Sequence, residues 1–304
     1  MAPDPASEVD GLDGFTHRYA EVNGTRIHYV IGGEGPAVVL LHGFPYSWEA
    51  WRDLAPRLAA SGFTVMAPDL RGMGDSAPAE DGFAKTNIAE DVRAIVRSLA
   101  LGPIRLVGDD IGAMVAYAYA SRHPAEVERL VLAESTLPGF GLEELMNPAT
   151  SGYWHFGFQM QVDLASFLTQ GKEAAYLMPF YKMMSTAPDA EGRAVSTFLP
   201  HYTGARGLRG AFQHYGPLLE DGRANRADFA GKLAMPVLVL NGEKGIPQDQ
   251  LLNGARDVAE QVEADLVPDA GHTFAHDNPQ WSAARLIRFF ALGRDPNNIL
   301  DQTV

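Results

Sequence analysis

The sequence predicts an α/β fold: a mostly parallel central sheet flanked by helices and interrupted by an inserted helical cap. Three observations predict it. Short apolar runs of strand type alternate with helical stretches. The alternation stops from about Leu137 to about Asn225, where aromatics and Met recur at helical spacing, and then resumes. A Gly-bounded turn, Gly108-Asp109-Asp110-Ile111-Gly112, runs from one apolar stretch straight into a helix.

In chain order, extended stretches are expected at Arg18 to Val22 and Arg26 to Ile31, then at the buried-type runs Ala37 to Leu41, Thr64 to Ala67 and Ile104 to Val107. Helices are expected between and after them, at Ser47 to Ala60, Asn87 to Leu101 and Ile111 to Arg122. After a strand at Leu130 to Ala133, helical spacing dominates in Tyr153 to Thr169, Glu173 to Met184 and Gly207 to Leu219. The alternation returns with a strand at Val237 to Leu240, a helix at Leu251 to Val262, a strand at Asp265 to Val267 and a helix at Gln280 to Ala291. The pattern divides the chain into a first core part at 1–136 with a loose arm at 1–15, a cap at 137–225 and a second core part at 226–304. No repeat or low-complexity segment breaks it.

Composition narrows the function. The 304 residues contain no Cys, which removes disulfide scaffolds, thiolate metal sites and cysteine nucleophiles together. With 46% hydrophobic and 20% charged residues, the chain can bury a full core, and disorder is excluded. A net charge of −14 opposes phosphate backbones and anionic lipid, so nucleic acid and membrane partners are not expected, and a small neutral or apolar substrate suits the chain better. The opening MAPDPASEVDGLDG lacks a basic n-region and an apolar h-region, so a cytoplasmic location is expected. The Gly-rich run at Ile31 to Pro36 leads into a strand rather than a helix, and no metal cluster is evident; neither a cofactor nor a metal is expected.

Small residues two before and two after position 110 permit a sharp strand-to-helix turn that thrusts Asp110 into the open, while Asp109 points the other way. Leu41-His42-Gly43-Phe44-Pro45 follows the first buried strand. There the Phe44 N–H can complete an oxyanion hole with the N–H of Ile111. Asp269-Ala270-Gly271-His272 places a loop His after the last short strand, giving the chain order of nucleophile first and His last. A carboxylate attacking an acyl carbon would give an anhydride, whereas attack on an sp³ carbon bearing a strained oxygen or a halide gives a stable ester.

These motifs, with Asp69-Leu70-Arg71-Gly72-Met73-Gly74-Asp75-Ser76, resemble the α/β-hydrolase superfamily over about residues 16 to 293, and within it the epoxide hydrolases and haloalkane dehalogenases. Asp at the elbow selects that subgroup. The resemblance implies an α/β-hydrolase fold, a covalent Asp110 ester hydrolysed by water that His272 activates, and a carboxylate behind His272. The family's usual acid falls on Gly245, so that seat is empty. The alternative seat, at the end of the strand before the cap, holds Glu134, which is favoured over Asp249 or Glu243. Haloalkane dehalogenases typically place Trp after the nucleophile, and fluoroacetate dehalogenases place Arg there and three residues on; this chain has Ile111 and Met114.

The combination is similar to the Cif-like epoxide hydrolases, which implies that His155 and Tyr215 are the ring-opening pair, with His214 one residue away as the competing candidate. Phe, Trp, Tyr and Met density in the cap reads equally as an apolar substrate channel or as cap core. The resemblance makes a homodimer through the cap plausible. The competing functions are a haloalkane dehalogenase using the same Asp and a non-catalytic hydrolase-fold binding protein.

Overall fold

The computed structural model describes residues 3–204 and 206–291. Nine strands form one sheet: β1 (Glu8–Val9), β2 (Leu12–Val22), β3 (Thr25–Gly32), β4 (Ala37–Leu41), β5 (Thr64–Pro68), β6 (Ile104–Asp109), β7 (Val127–Ala133), β8 (Val237–Gly242) and β9 (Val262–Val267). Their order is β1-β2-β3-β5-β4-β6-β7-β8-β9. The pairs among β1, β2, β3 and β5 are antiparallel, and every pair from β5 to β9 is parallel.

The central strands are apolar throughout because both faces are covered. Val39, Leu41, Leu106, Leu130, Leu132, Val237 and Val239 enter one apolar layer, while their neighbours Val38, Leu40, Val107, Val131, Leu238 and Leu240 enter the other. This alternation is the two-residue period of a strand with helices on each side. The parallel register brings the ends of β4, β6, β7 and β8 to one edge, where the loops carrying the motifs gather.

Between β7 and β8 the described residues contain helices and no strand, including Trp154–Gln159, Val162–Thr169, Glu173–Met184, Arg209–Gln213 and Leu218–Ala227. The cap is held to the core by groups that the apolar pattern does not show. Tyr181 and Tyr202 donate their hydroxyls to the Pro45 and Tyr46 carbonyls, fixing the loop after β4 from above. Buried Lys85 donates to the His214 carbonyl at 2.6 Å and pairs with Asp221 at 3.5 Å.

Several expectations are corrected. Within the expected loose arm at 1–15, residues 8–15 are ordered: β1 pairs with β2, and Val9, Leu12 and Phe15 are buried in the layer that holds Trp48 and Trp51, while residues 1–2 lie outside the described residues. The expected helix at 47–60 divides into a 3₁₀ turn at Trp48–Trp51 and a helix at Ala55–Ala60 that opens with Pro56. The segment 207–219 breaks at Gly216-Pro217, since Pro tolerates only the start of the next helix. The helix expected at 251–262 runs Gln248–Val258, and β9 begins at Val262. Residues 292–304 of the second core part lie outside the described residues.

Candidate active site

Asp110 stands at the junction of β6 and the helix Ile111–Arg122, with φ +53° and ψ −121°. A left-handed φ on a non-Gly residue costs roughly 1–2 kcal/mol and persists only where the surroundings enforce it. Here they do. A Cβ on Gly108 would lie 2.2 Å from the Gly112 carbonyl oxygen, and a Cβ on Gly43 would lie 2.2 Å from the Asp110 Cβ. The Asp110 N–H donates to the Ala133 carbonyl at 3.0 Å.

The two carboxylate oxygens have different partners. Oδ1 accepts the N–H of Phe44 at 3.1 Å and of Ile111 at 2.5 Å. Oδ2 faces His272 Nε2 at 3.4 Å. On the far side of the ring, Nδ1 lies 3.1 Å from Glu134 Oε2. Burial opposes the imidazolium of His272, but Asp110 and Glu134 outweigh it and hold its pKa well above the usual imidazole value.

Glu134 is only 1% exposed, directly follows β7 at φ +51°, and also accepts from Gly242 N–H at 2.5 Å and Ile246 N–H at 3.0 Å. A buried carboxylate needs such donors. Position 245 has no room for a side chain: a Cβ there would fall 2.3 Å from Glu134 Oε1. The carboxyl of Glu134 therefore occupies the space that an acid at 245 would use. Of the other acids considered, Glu243 accepts from the Asp269 N–H, and Asp249 lies in the first turn of the helix Gln248–Val258.

A cavity of about 170 Å³ opens over these groups, and Asp110, Glu134, His155, Tyr215 and His272 all line it. Its walls are largely apolar and include Phe44, Phe156, Phe180 and Met184. Tyr215 is 2% exposed, with its ring edge-on to Phe44 at 5.5 Å. Burial, with the Asp110 charge adding to it, pushes its phenol well above the ordinary tyrosine pKa. The His155 ring lies 6.2 Å from that of Tyr215. Burial lowers the His155 pKa to about 4, so its imidazole is neutral at pH 7. His214 turns away: its Nε2 contacts the Arg71 carbonyl at 2.8 Å, and its ring packs edge-on against Phe83.

Asp109 faces the opposite way from Asp110, toward a separate cavity of about 30 Å³ lined also by Tyr46, Arg193 and His276. Burial pushes its carboxyl well above the usual carboxylate range. Among the described residues, one group has metal-ligand spacing: His28, Asp69 and Asp75. Asp69 accepts the Trp48 N–H at 2.7 Å and the Asp75 N–H at 2.8 Å, and it contacts His28 Nδ1 at 2.7 Å.

Residues 36–279 match the family described as alpha/beta hydrolase fold. The chain belongs to the α/β-hydrolase family. It is 33% identical over 284 residues to the soluble epoxide hydrolase of Corynebacterium sp. strain C12, covering 91% of this chain and 97% of that protein. It is 35% identical over 155 residues to a fluoroacetate dehalogenase of a Burkholderia species, covering 49% of this chain and 51% of that one. Its fold is similar to the crystal structure of the Cif epoxide hydrolase from Acinetobacter nosocomialis, with a TM-score of 0.81 at 26% identity, covering 91% of this chain and 89% of that one. The chain is an enzyme of this family. No helix among the described residues is long and apolar enough to cross a membrane.

Sequence reasoning did not single out Phe180, Met184, Lys244 and Ile246, which line the cavity. Lys244 and Ile246 flank Gly245, so the emptiness of that position was a signal for them. Phe180 and Met184 sit on a helix whose apolar residues serve packing and lining alike.

Proposed function

We propose that this enzyme is an epoxide hydrolase that opens a small apolar or neutral epoxide to a vicinal diol through a covalent ester on Asp110. One observation carries the proposal. A carboxylate with one oxygen held by two backbone N–H groups and the other beside His272 faces a cavity that also holds a phenol and a neutral imidazole.

In the first step, Asp110 Oδ2 bonds to a ring carbon, the C–O bond of the ring breaks, and the ring oxygen takes the Tyr215 proton, with neutral His155 donating a hydrogen bond to it. The Tyr215 phenolate then takes the proton carried by the resting His272 imidazolium, and in the second step water adds to the Asp110 carboxyl carbon as its proton passes to the freed His272 imidazole. Charge then develops on the oxygen that Phe44 and Ile111 hold. Collapse of that intermediate breaks the ester bond, and the leaving alkoxide takes a proton from His272. Glu134 fixes the His272 tautomer and stabilises its imidazolium.

A dehalogenase reading uses the same nucleophile but needs donors for the halide or for a substrate carboxylate. At the two positions where those dehalogenases carry their donors, Ile111 and Met114 supply none. The expected test result is that His272→Ala, mixed with an aryl epoxide, shows an Asp110 adduct in intact-mass spectra, while bromoalkanes and fluoroacetate release no halide from the wild type. No adduct across a panel of epoxides, or halide release without diol formation, refutes the proposal.

A further inference from the structure

A carboxylate outside the cavity gathers two segments that meet at His272. Gly271 and Thr273 flank that histidine, just before the short helix Phe274–Asp277, and residues 184–187 leave the long cap helix Glu173–Met184. Asp277 accepts hydrogen bonds from both. From the histidine loop come the Gly271 N–H at 2.8 Å and the Thr273 hydroxyl at 3.1 Å. From the cap come the Ser185 hydroxyl at 2.5 Å, the Thr186 N–H at 3.2 Å and the Ala187 N–H at 3.3 Å.

Direct pairing closes the same seam. The Thr273 N–H donates to the Met184 carbonyl at 3.1 Å, and the Thr186 hydroxyl donates to the Asp269 carbonyl at 2.6 Å. The approach is tight, since a Cβ on Gly271 would lie 2.6 Å from the Met184 carbonyl oxygen. Met184 itself lines the cavity above Asp110.

We infer that Asp277 is a positioning residue for His272: it locks loop 269–273 to cap segment 184–187, so that the hydrolytic base and one wall of the substrate cavity are held as a unit. The inference rests on the epoxide hydrolase reading, in which His272 acts as base in ester hydrolysis while Asp110 and Tyr215 carry ring opening. Asp277 contacts neither Asp110 nor Tyr215, so its loss is felt in the second step. Five donors converge on its two oxygens, and an amide in its place turns an NH₂ group toward N–H or hydroxyl donors. A displacement of about 1 Å at a reacting group costs up to ~10²-fold.

The test compares Asp277→Asn with Ser185→Ala, which cuts only the cap side of the seam. Each is mixed with styrene oxide and followed by time-resolved intact-mass spectrometry, beside thermal unfolding and a His272→Ala control. For Asp277→Asn the expected result is alkylation within about 3-fold of wild type and ester hydrolysis slower by ~10- to 100-fold, so that alkyl-enzyme accumulates at steady state. Ser185→Ala is expected to shift the same balance by a smaller factor. The inference is overturned if both steps slow together, if neither changes, or if stability falls without accumulation; should Asp277→Asn fail to fold, Ser185→Ala decides alone. Alkyl-enzyme in His272→Ala but not in these variants sinks only the role of Asp277. Its absence from His272→Ala sinks the epoxide reading and this inference with it.

Discussion

Gly245→Ala places one methyl group against the buried carboxylate of Glu134. The new Cβ would sit 2.3 Å from Glu134 Oε1 and 2.5 Å from Oε2, where real Cβ atoms approach no nearer than 3.0 Å. Either Glu134 or the 242–246 loop must therefore give by at least 0.7 Å. Glu134 has little freedom, because Gly242 and Ile246 hold its oxygens at 2.5 and 3.0 Å. A retreat of 0.7 Å away from the ring stretches its 3.1 Å contact to His272 Nδ1 to about 3.8 Å, beyond hydrogen-bond range. The expected outcome is ester hydrolysis slower by ~10²-fold, about 2.7 kcal/mol of lost transition-state stabilisation, with alkylation of Asp110 nearly unchanged. Single-turnover mass spectrometry reads both steps. The decisive comparison repeats Gly245→Ala in a Glu134→Ala background, where the space is vacated and the methyl has nothing to displace. An equal effect in both backgrounds, or none in the wild-type background, would refute the steric coupling of position 245 to the acid behind His272.

Tyr215→Phe is expected to slow ring opening by ~10²-fold or more, read as slower adduct formation in a His272→Ala background; an unchanged rate removes its role as proton donor. His155 contributes a pH dependence to stability with a definite sign. Its folded pKa of about 4 lies below the unfolded value of 6.5, so stability is complete above 6.5 and is lost as pH falls through about 4. Denaturant titrations from pH 7 to 4 are expected to show a shallower decline for His155→Phe than for the wild type, and parallel curves would contradict the burial argument. Lys85→Ala leaves Asp221 buried without its cation and is expected to cost ~3–5 kcal/mol in urea unfolding, whereas a loss under 1 kcal/mol would show that the pair carries little of the cap–core junction.

How much was legible from sequence follows from which signals are local. Ala37–Leu41 and Ile111–Arg122 were readable to the residue, because each is an unbroken run whose ends coincide with turn residues or a change of pattern, and Glu173–Met184 was readable from the helical spacing of its aromatics and Met, which continues through Pro179. The strand β1 and the start of β2 were not, because Val9, Leu12 and Phe15 are separated by Gly and Asp and are ordered by pairing along β1, β2 and β3 and by burial in the layer that holds Trp48 and Trp51. In the site, the bend at Asp110 was legible from its glycines, and the empty seat at Gly245 directed attention to Glu134. The convergence of donors on Asp277 was invisible, since Asp277-Asn278-Pro279 reads as an ordinary turn and its partners lie about ninety residues away in the chain. The lining faces of the cap helices were likewise unreadable, since apolar residues serve core and channel equally.

Under the proposed mechanism, one histidine must be charged beside a nucleophile and neutral before water, and the arrangement of charges reconciles the two. In the resting enzyme, Asp110 and Glu134 flank the ring at 3.4 and 3.1 Å and hold it as imidazolium despite its burial. Alkylation turns Asp110 into a neutral ester and removes one of the two charges that sustain the imidazolium, while burial continues to oppose it. The same step leaves Tyr215 as a phenolate whose own pKa burial has raised, so the proton released by His272 has a ready acceptor. The base is thus freed only after the ester exists. When water attacks, His272 regains a proton beside Glu134 and passes it to the leaving alkoxide, and the new Asp110 carboxylic acid returns one to the imidazole. Glu134 sustains the ring through both states because it lies outside the bond-making path. An acid on that far side, held by two backbone N–H groups, serves both half-reactions without being consumed in either.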